Sequence, residues 1–111
     1  QNYKDAIVKA GDRGTIIAGQ SLGHPVRALR NPMARRFAEM EKQELTEDEL
    51  LAFGTGKLRL AVVDGDIAEG SFMAGQSCGL IRDIVPVAEV IQRVVLEAET
   101  LLRRLPQHIG G

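Results

Sequence analysis

Apolar residues recur along this chain at several spacings, and each spacing marks an element. Ala6, Ile7 and Ala10 lie three to four positions apart, the spacing of one helix face. With Asn2 as N-cap, Asp5 in the first turn and Gly11 at the C-cap, a helix is predicted over Tyr3–Ala10. The β-favouring run Thr15-Ile16-Ile17-Ala18 lies between Gly14 and Gly19, and a second, alternating run covers Val26–Arg30; both read as strands. Asn31-Pro32 is the strongest local signal. Asn accepts from the free amides of a first turn, and Pro at the first helical position forfeits no hydrogen bond. A helix from there to about Lys42 would bury Met33, Phe37 and Met40.

Thr46 and Glu49 have the spacing of a capping box ahead of Leu50, Leu51 and Phe53, a short helix that Gly54 and Gly56 should end. Lys57 to Val63 predicts two further helical turns, stopped by Asp64-Gly65-Asp66. A loop with glycines at 65, 70, 75 and 79 follows, entering a short helix near Gln76. Pro86 then starts the longest helix. Val87, Val90, Ile91, Val94, Ala98, Leu101, Leu102 and Leu105 form its apolar stripe, Glu89, Arg93, Glu97, Arg103 and Arg104 face elsewhere, and Pro106 is the predicted stop.

These elements define a helix-rich α/β chain with two or three short strands and four to six helices. Two strands do not make a self-sufficient sheet, so the pattern suits a small subdomain over residues 1–80 that leans on a larger body, followed by a C-terminal helix over 81–111. At 111 residues there is room for one domain. A hydrophobic fraction of 44% and a charged fraction of 26% exclude a disordered chain. The net charge of −1 gives no bulk attraction to nucleic acid or an anionic membrane. Cys78 is alone, so neither an internal disulfide nor a thiolate metal site is expected, and a reducing cytoplasm is the expected setting. No apolar run approaches the ~20 residues of a membrane span. The start at Gln1, leading almost directly into helical pattern, reads as a piece of a longer polypeptide.

For chemistry, the stretch Gly70-Ser-Phe-Met-Ala-Gly-Gln-Ser-Cys-Gly-Leu80 is the best candidate for ligand contact. Glycines admit close approach, and a helix starting near Gly75-Gln76 would aim free amides at a phosphate or carbonyl oxygen. The bland alternative is a turn before a tightly packed helix. Phe72 and Met73 fit either a flat ring or the core, and Gln76 either a ring carbonyl or a helix start. His24, in Gly-His-Pro-Val-Arg, has no nucleophile or carboxylate at telling spacing and reads as structural; His108 reads as solvent-exposed. Nothing resembles a zinc site, a nucleophile triad or a Walker loop, so no metal and no catalytic residue is assigned. Arg27, Arg30, Arg35 and Arg36, four arginines within ten residues, read as a self-neutralising surface beside the acidic run Glu39–Glu49 or as a dock for an anionic partner.

Three strings taken together, Gly23-His-Pro-Val-Arg-Ala-Leu-Arg-Asn31, Gly56-Lys-Leu-Arg-Leu-Ala-Val-Val-Asp-Gly-Asp66 and Gly70–Ile81, resemble in order and spacing the C-terminal third of the FMN-dependent enoyl-acyl-carrier-protein reductases, within the nitronate monooxygenase superfamily. The opening Asn2–Ala10 is also similar. The resemblance implies a TIM-barrel flavoprotein that reduces trans-2-enoyl thioesters of fatty-acid synthesis with NADH or NADPH through FMN. It places Met73, Ala74, Gly75 and Gln76 beside the flavin. The barrel strands, the FMN-phosphate loops and the catalytic histidine belong to a preceding part of such proteins, and His24 does not match that histidine. The partner implied is an enoyl substrate carried on acyl carrier protein, with the four arginines as its docking patch; nucleic acid and membrane are not implied. The last helix would pack back on the missing barrel or on a second copy in a homodimer. The nitronate monooxygenases themselves, and a non-catalytic interaction domain, are the alternatives.

Overall fold

In a computed structural model, the backbone of residues 1–109 and the side chains through Gln107 are described, so the reading of the His108 side chain lies outside the described residues. Helix α1 spans Asn2–Lys9, one residue earlier than predicted. Asn2 is therefore not its cap. Gln1 takes that place without a side-chain bond, and the Asn2 amide instead donates to the Gly65 carbonyl at 3.0 Å. The C-cap is Ala10 in extended conformation, not Gly11.

Strands β1 (Thr15–Ala18) and β2 (Val26–Leu29) form an antiparallel pair in the register Thr15 to Leu29 and Ala18 to Val26. The connection turns at Gly19, whose φ of +83° and carbonyl neighbour His24, 2.8 Å from where a Cβ would sit, leave room for glycine only. Side chains alternate across the pair, and each face has its own core. On one face Ala18 packs with Met33, Phe37 and Leu50. On the other, Leu29 packs with Ala61, Phe72 and Cys78, closed over by Tyr3, Ala6 and Ile7 of α1.

Helix α2 (Pro32–Lys42) begins as the sequence requires, with the Asn31 side chain accepting from the Ala34 amide at 2.8 Å. The other end of that side chain does long-range work. Its amide nitrogen donates to the carbonyls of Ile67 at 2.9 Å and Gly70 at 2.7 Å, so one buried residue joins the end of β2, the start of α2 and the glycine loop. Helix α3 (Glu47–Gly54) carries the predicted capping box, with Thr46 Oγ1 accepting from Glu49 and the Glu49 carboxylate from the Thr46 amide.

The two helical turns expected over Lys57–Val63 are realised differently. One α-helical turn, α4 (Lys57–Arg59), widens into a π-helical turn over Leu60–Asp64, closed by Gly65 at φ +64°. At this point the Gly70 backbone lies so close to Ala61 that a Cβ on Gly70 would come within 2.8 Å of Ala61 N and Cα. Such i→i+5 turns have no signature in hydrophobic spacing. The short helix near Gln76 is a 3₁₀ segment, Gln76–Leu80.

Helix α5 runs Val87–Ile109 and passes through Pro106, the stop that its sequence predicts. A proline inside a helix forfeits one bond, here to the carbonyl four residues back at Leu102. Leu102 is 66% exposed, so water can serve that carbonyl. At 23 residues α5 is about 34 Å long, and its apolar side chains from Val87 to Leu105 stand in solvent. It is tied near its start by Arg93, whose guanidinium meets Asp83 at 2.8 Å and Glu89 at 2.7 Å. Hydrogen bonds to Asp83 and then Glu89 raise its already high pKa, so its charge is fixed. The projection explains the dimensions of 56 × 33 × 19 Å and a radius of gyration of 18.2 Å, against about 13 Å for a compact domain of this size. The expected fold class, a helix-rich α/β chain, is observed. No helix among the described residues is long and apolar enough to cross a membrane.

Candidate functional site

The glycine-rich stretch is built as a third, single-bridge strand against β2. Leu29 donates to the Phe72 carbonyl at 2.7 Å, Ala74 to the Arg27 carbonyl at 3.2 Å, and Met73 lies opposite Ala28. Strand alternation then sends Phe72 and Met73 to opposite faces. Phe72 is 1% exposed and meets the Tyr3 ring edge-on, with centroids 4.7 Å apart. Met73 is 43% exposed. The Tyr3 hydroxyl donates to the Met73 carbonyl, and burial raises the Tyr3 pKa. Met73 is thus held by its backbone on both sides while its thioether stays free.

Beyond it the chain opens. Ala74 is half-buried, and Gly75 and Gln76 are exposed. Gly75 has ordinary extended angles, and a Cβ there would meet nothing nearer than Ser77 Oγ at 3.8 Å. Its bareness is not a packing requirement. Gly70 and Gly79 differ: Gly70 lies against Ala61, and a Cβ on Gly79 would sit 3.2 Å from Asp12 Cα and the Gly11 carbonyl. Gly70 and Gly79 thus serve packing, Ala74 packs against the core around Leu29 and Phe72, and Met73, Gly75 and Gln76 are exposed. A flexible thioether, a bare glycine and an exposed amide on a fixed backbone fit the face or edge of a flat ring. They carry no cation for a phosphate.

The four arginines take different partners. Arg36 is 3.6 Å from Glu69 and lies over the Phe53 ring. Arg27 donates to Thr15 Oγ1 at 2.9 Å, and Arg30 to the carbonyls of Arg13 and Thr15. Arg35 is exposed on α2. Arg30 and Arg35 line a groove with Lys9 between α1 and the start of α2. His24 is exposed in the hairpin connection. The Tyr3 bond to Met73 spans 70 residues of sequence, and no local pattern could have announced it.

The chain belongs to the nitronate monooxygenase family, whose family model matches residues 1–97. Among solved structures it is similar to FabK from Thermotoga maritima, with a TM-score of 0.89 and 43% identity over 96% of this chain and 34% of that chain. A methionine-to-alanine mutant of the same FabK gives a TM-score of 0.79 and 38% identity, covering 96% of this chain and 31% of the other. The chain thus spans about a third of the FabK structures it matches. A search of curated proteins finds no match. The family resemblance carried by the three sequence strings is borne out.

Proposed function

We propose that the polypeptide carrying this chain is an FMN-dependent, NADH- or NADPH-consuming oxidoreductase of the cytoplasm that reduces trans-2-enoyl thioesters on acyl carrier protein in fatty-acid synthesis. The supporting observation is the 43% identity to FabK over 96% of the chain. The larger part of such a polypeptide would supply the barrel and the cradle for the FMN phosphate. Bound FMN would carry the hydride between the nicotinamide and the β-carbon of the enoyl group. Met73, Ala74, Gly75 and Gln76 of this chain would line one side of the ring. Their backbone is pinned through Leu29, Arg27 and Tyr3, which would set where the Met73 thioether starts from while leaving it free to adapt to the ring, and the exposed Gln76 amide is available to a ring carbonyl or substrate oxygen. No acid, base or nucleophile is assigned to this chain. The carrier-protein dock would draw on Arg27, Arg30, Arg35 and Arg36, of which Arg35 stands exposed on α2 and Arg36 faces Glu69.

The family model favours a second reading, a nitronate monooxygenase that oxidises its substrate with O₂. The full-length protein separates the two. Oxidation of NADH or NADPH that depends on crotonyl-CoA supports the reductase. Turnover of propionate 3-nitronate without a nicotinamide, and none with crotonyl-CoA, overturns it. A purified full-length protein without flavin absorbance supports a non-catalytic domain instead.

A further inference from the structure

The sheet face that carries Met73 continues into a groove. Residues paired across strands share a face, so Met73 shares one with Ala28, and Ala28 with Val26 two positions along; Ala18, opposite Val26, completes the row. Helix α2 lies across this row and leaves an open cavity of about 160 Å³ walled by Met33, Ala34 and Phe37. The space exists because the side chains bordering it are small. Ala18, Ala28 and Ala34 are each at most 8% exposed, yet a void lies beside them where interiors ordinarily close-pack. No carboxylate, Lys or Arg lines it; His24 and Ser71 are its polar groups. A charged ligand would find no counter-ion there, whereas a hydrocarbon would displace water from an apolar surface. An engineered cavity of about 150 Å³ takes a benzene ring, so the groove holds about six carbons, and its open side lets a chain run on. Ser71, two residues before Met73 and so on the same face, also lines it, placing one end beside the Met73 segment.

We infer that this groove receives the acyl tail of the thioester substrate, with Ala18, Ala28 and Ala34 setting the chain length accepted. The inference rests on the proposed reductase function. The test uses the full-length flavoprotein and compares kcat/KM for crotonyl-CoA and trans-2-decenoyl-CoA. Ala28→Val adds two carbons to the floor, and Val26→Phe narrows the groove from a 38% exposed strand position that should tolerate a ring. The decenoyl-to-crotonyl ratio is expected to fall about tenfold or more in either variant, the scale on which a hydrophobic pocket reads methylene groups. Flavin absorbance and Tm identify the folded variant, and Val26→Phe carries the test should Ala28→Val fail to fold. An unchanged ratio, or equal loss on both substrates, overturns the inference. So does a fall in Tm with an unchanged ratio in Val26→Phe, which would mean that another segment of the polypeptide fills the groove. If the wild-type protein reduces neither thioester, the reductase reading fails, and calorimetry with butanoyl-CoA and decanoyl-CoA judges the groove by itself. Tighter decanoyl binding that Val26→Phe abolishes supports it, and equal affinities overturn it.

Discussion

Residues 1–80 and helix α5 are comparably rich in apolar side chains, and they fare oppositely. The first region holds two cores in which apolar side chains meet: Phe72 meets Tyr3 and Leu29, and Phe37 meets Met33 and Leu50. In α5 the stripe from Val87 to Leu105 is as regular as any in the chain, yet those side chains are 46% to 75% exposed at Val87, Val90, Ile91, Val94, Leu101, Leu102 and Leu105. Periodicity thus describes one half of a contact. Burial, and the stability that follows from it, requires the other half.

That contrast can be broken or sharpened by substitution, read as changes in unfolding free energy of the chain in urea. The largest effect is expected at Phe72→Ala, which opens a cavity under Tyr3 and should cost about 3–5 kcal/mol. Asn31→Ala removes a helix cap and leaves the Ile67 and Gly70 carbonyls without their donor; a loss of about 2–4 kcal/mol is expected. A loss below about 1 kcal/mol would mean that the loop is not held there. Thr46→Ala, at an exposed capping box, should cost about 1 kcal/mol.

Tyr3 supplies a pH dependence. Its folded pKa lies above the unfolded value of 10.0 because burial disfavours the phenolate. Its contribution is therefore fully present below about pH 10 and is lost as pH rises through the folded value. Tyr3→Phe, which keeps the ring but not the bond to Met73, should flatten that alkaline decline. The smallest effect is expected in α5, where Val94→Ser together with Leu101→Ser should change stability by no more than about 0.5 kcal/mol each, as at other exposed sites. A loss of several kcal/mol would show that α5 is packed after all.

Where a signal is local, the sequence carried it well. Asn31-Pro32, the Thr46–Glu49 box and the extents of β1 and α2 needed only neighbouring residues. The departures arose where distant groups compete. Asn2 has the chemistry of a cap, but Gly65 takes its amide. The turn at Leu60–Asp64 widens beside Gly70, and Pro106 sits in a helix whose flank is wet. The candidate site was legible to the same degree. Glycine spacing located the segment 70–80, but which glycines serve packing and which stand open depended on Ala61 and Asp12, remote in sequence. The four arginines looked alike in the chain, and their partners, Glu69 for Arg36 and Thr15 for Arg27 and Arg30, are remote in sequence.

Asn31 has a consequence for motion. Because one side chain holds the first turn of α2 and the loop around Ile67–Gly70, neither segment can open while the other keeps all its bonds, and local unfolding there is a single event. The amide of Ala34, bonded to Asn31 itself, and that of Met33, bonded to the Ala68 carbonyl in the loop, belong to that unit. They should exchange with solvent deuterium at matching free energies of opening, and Asn31→Ala should lower both together.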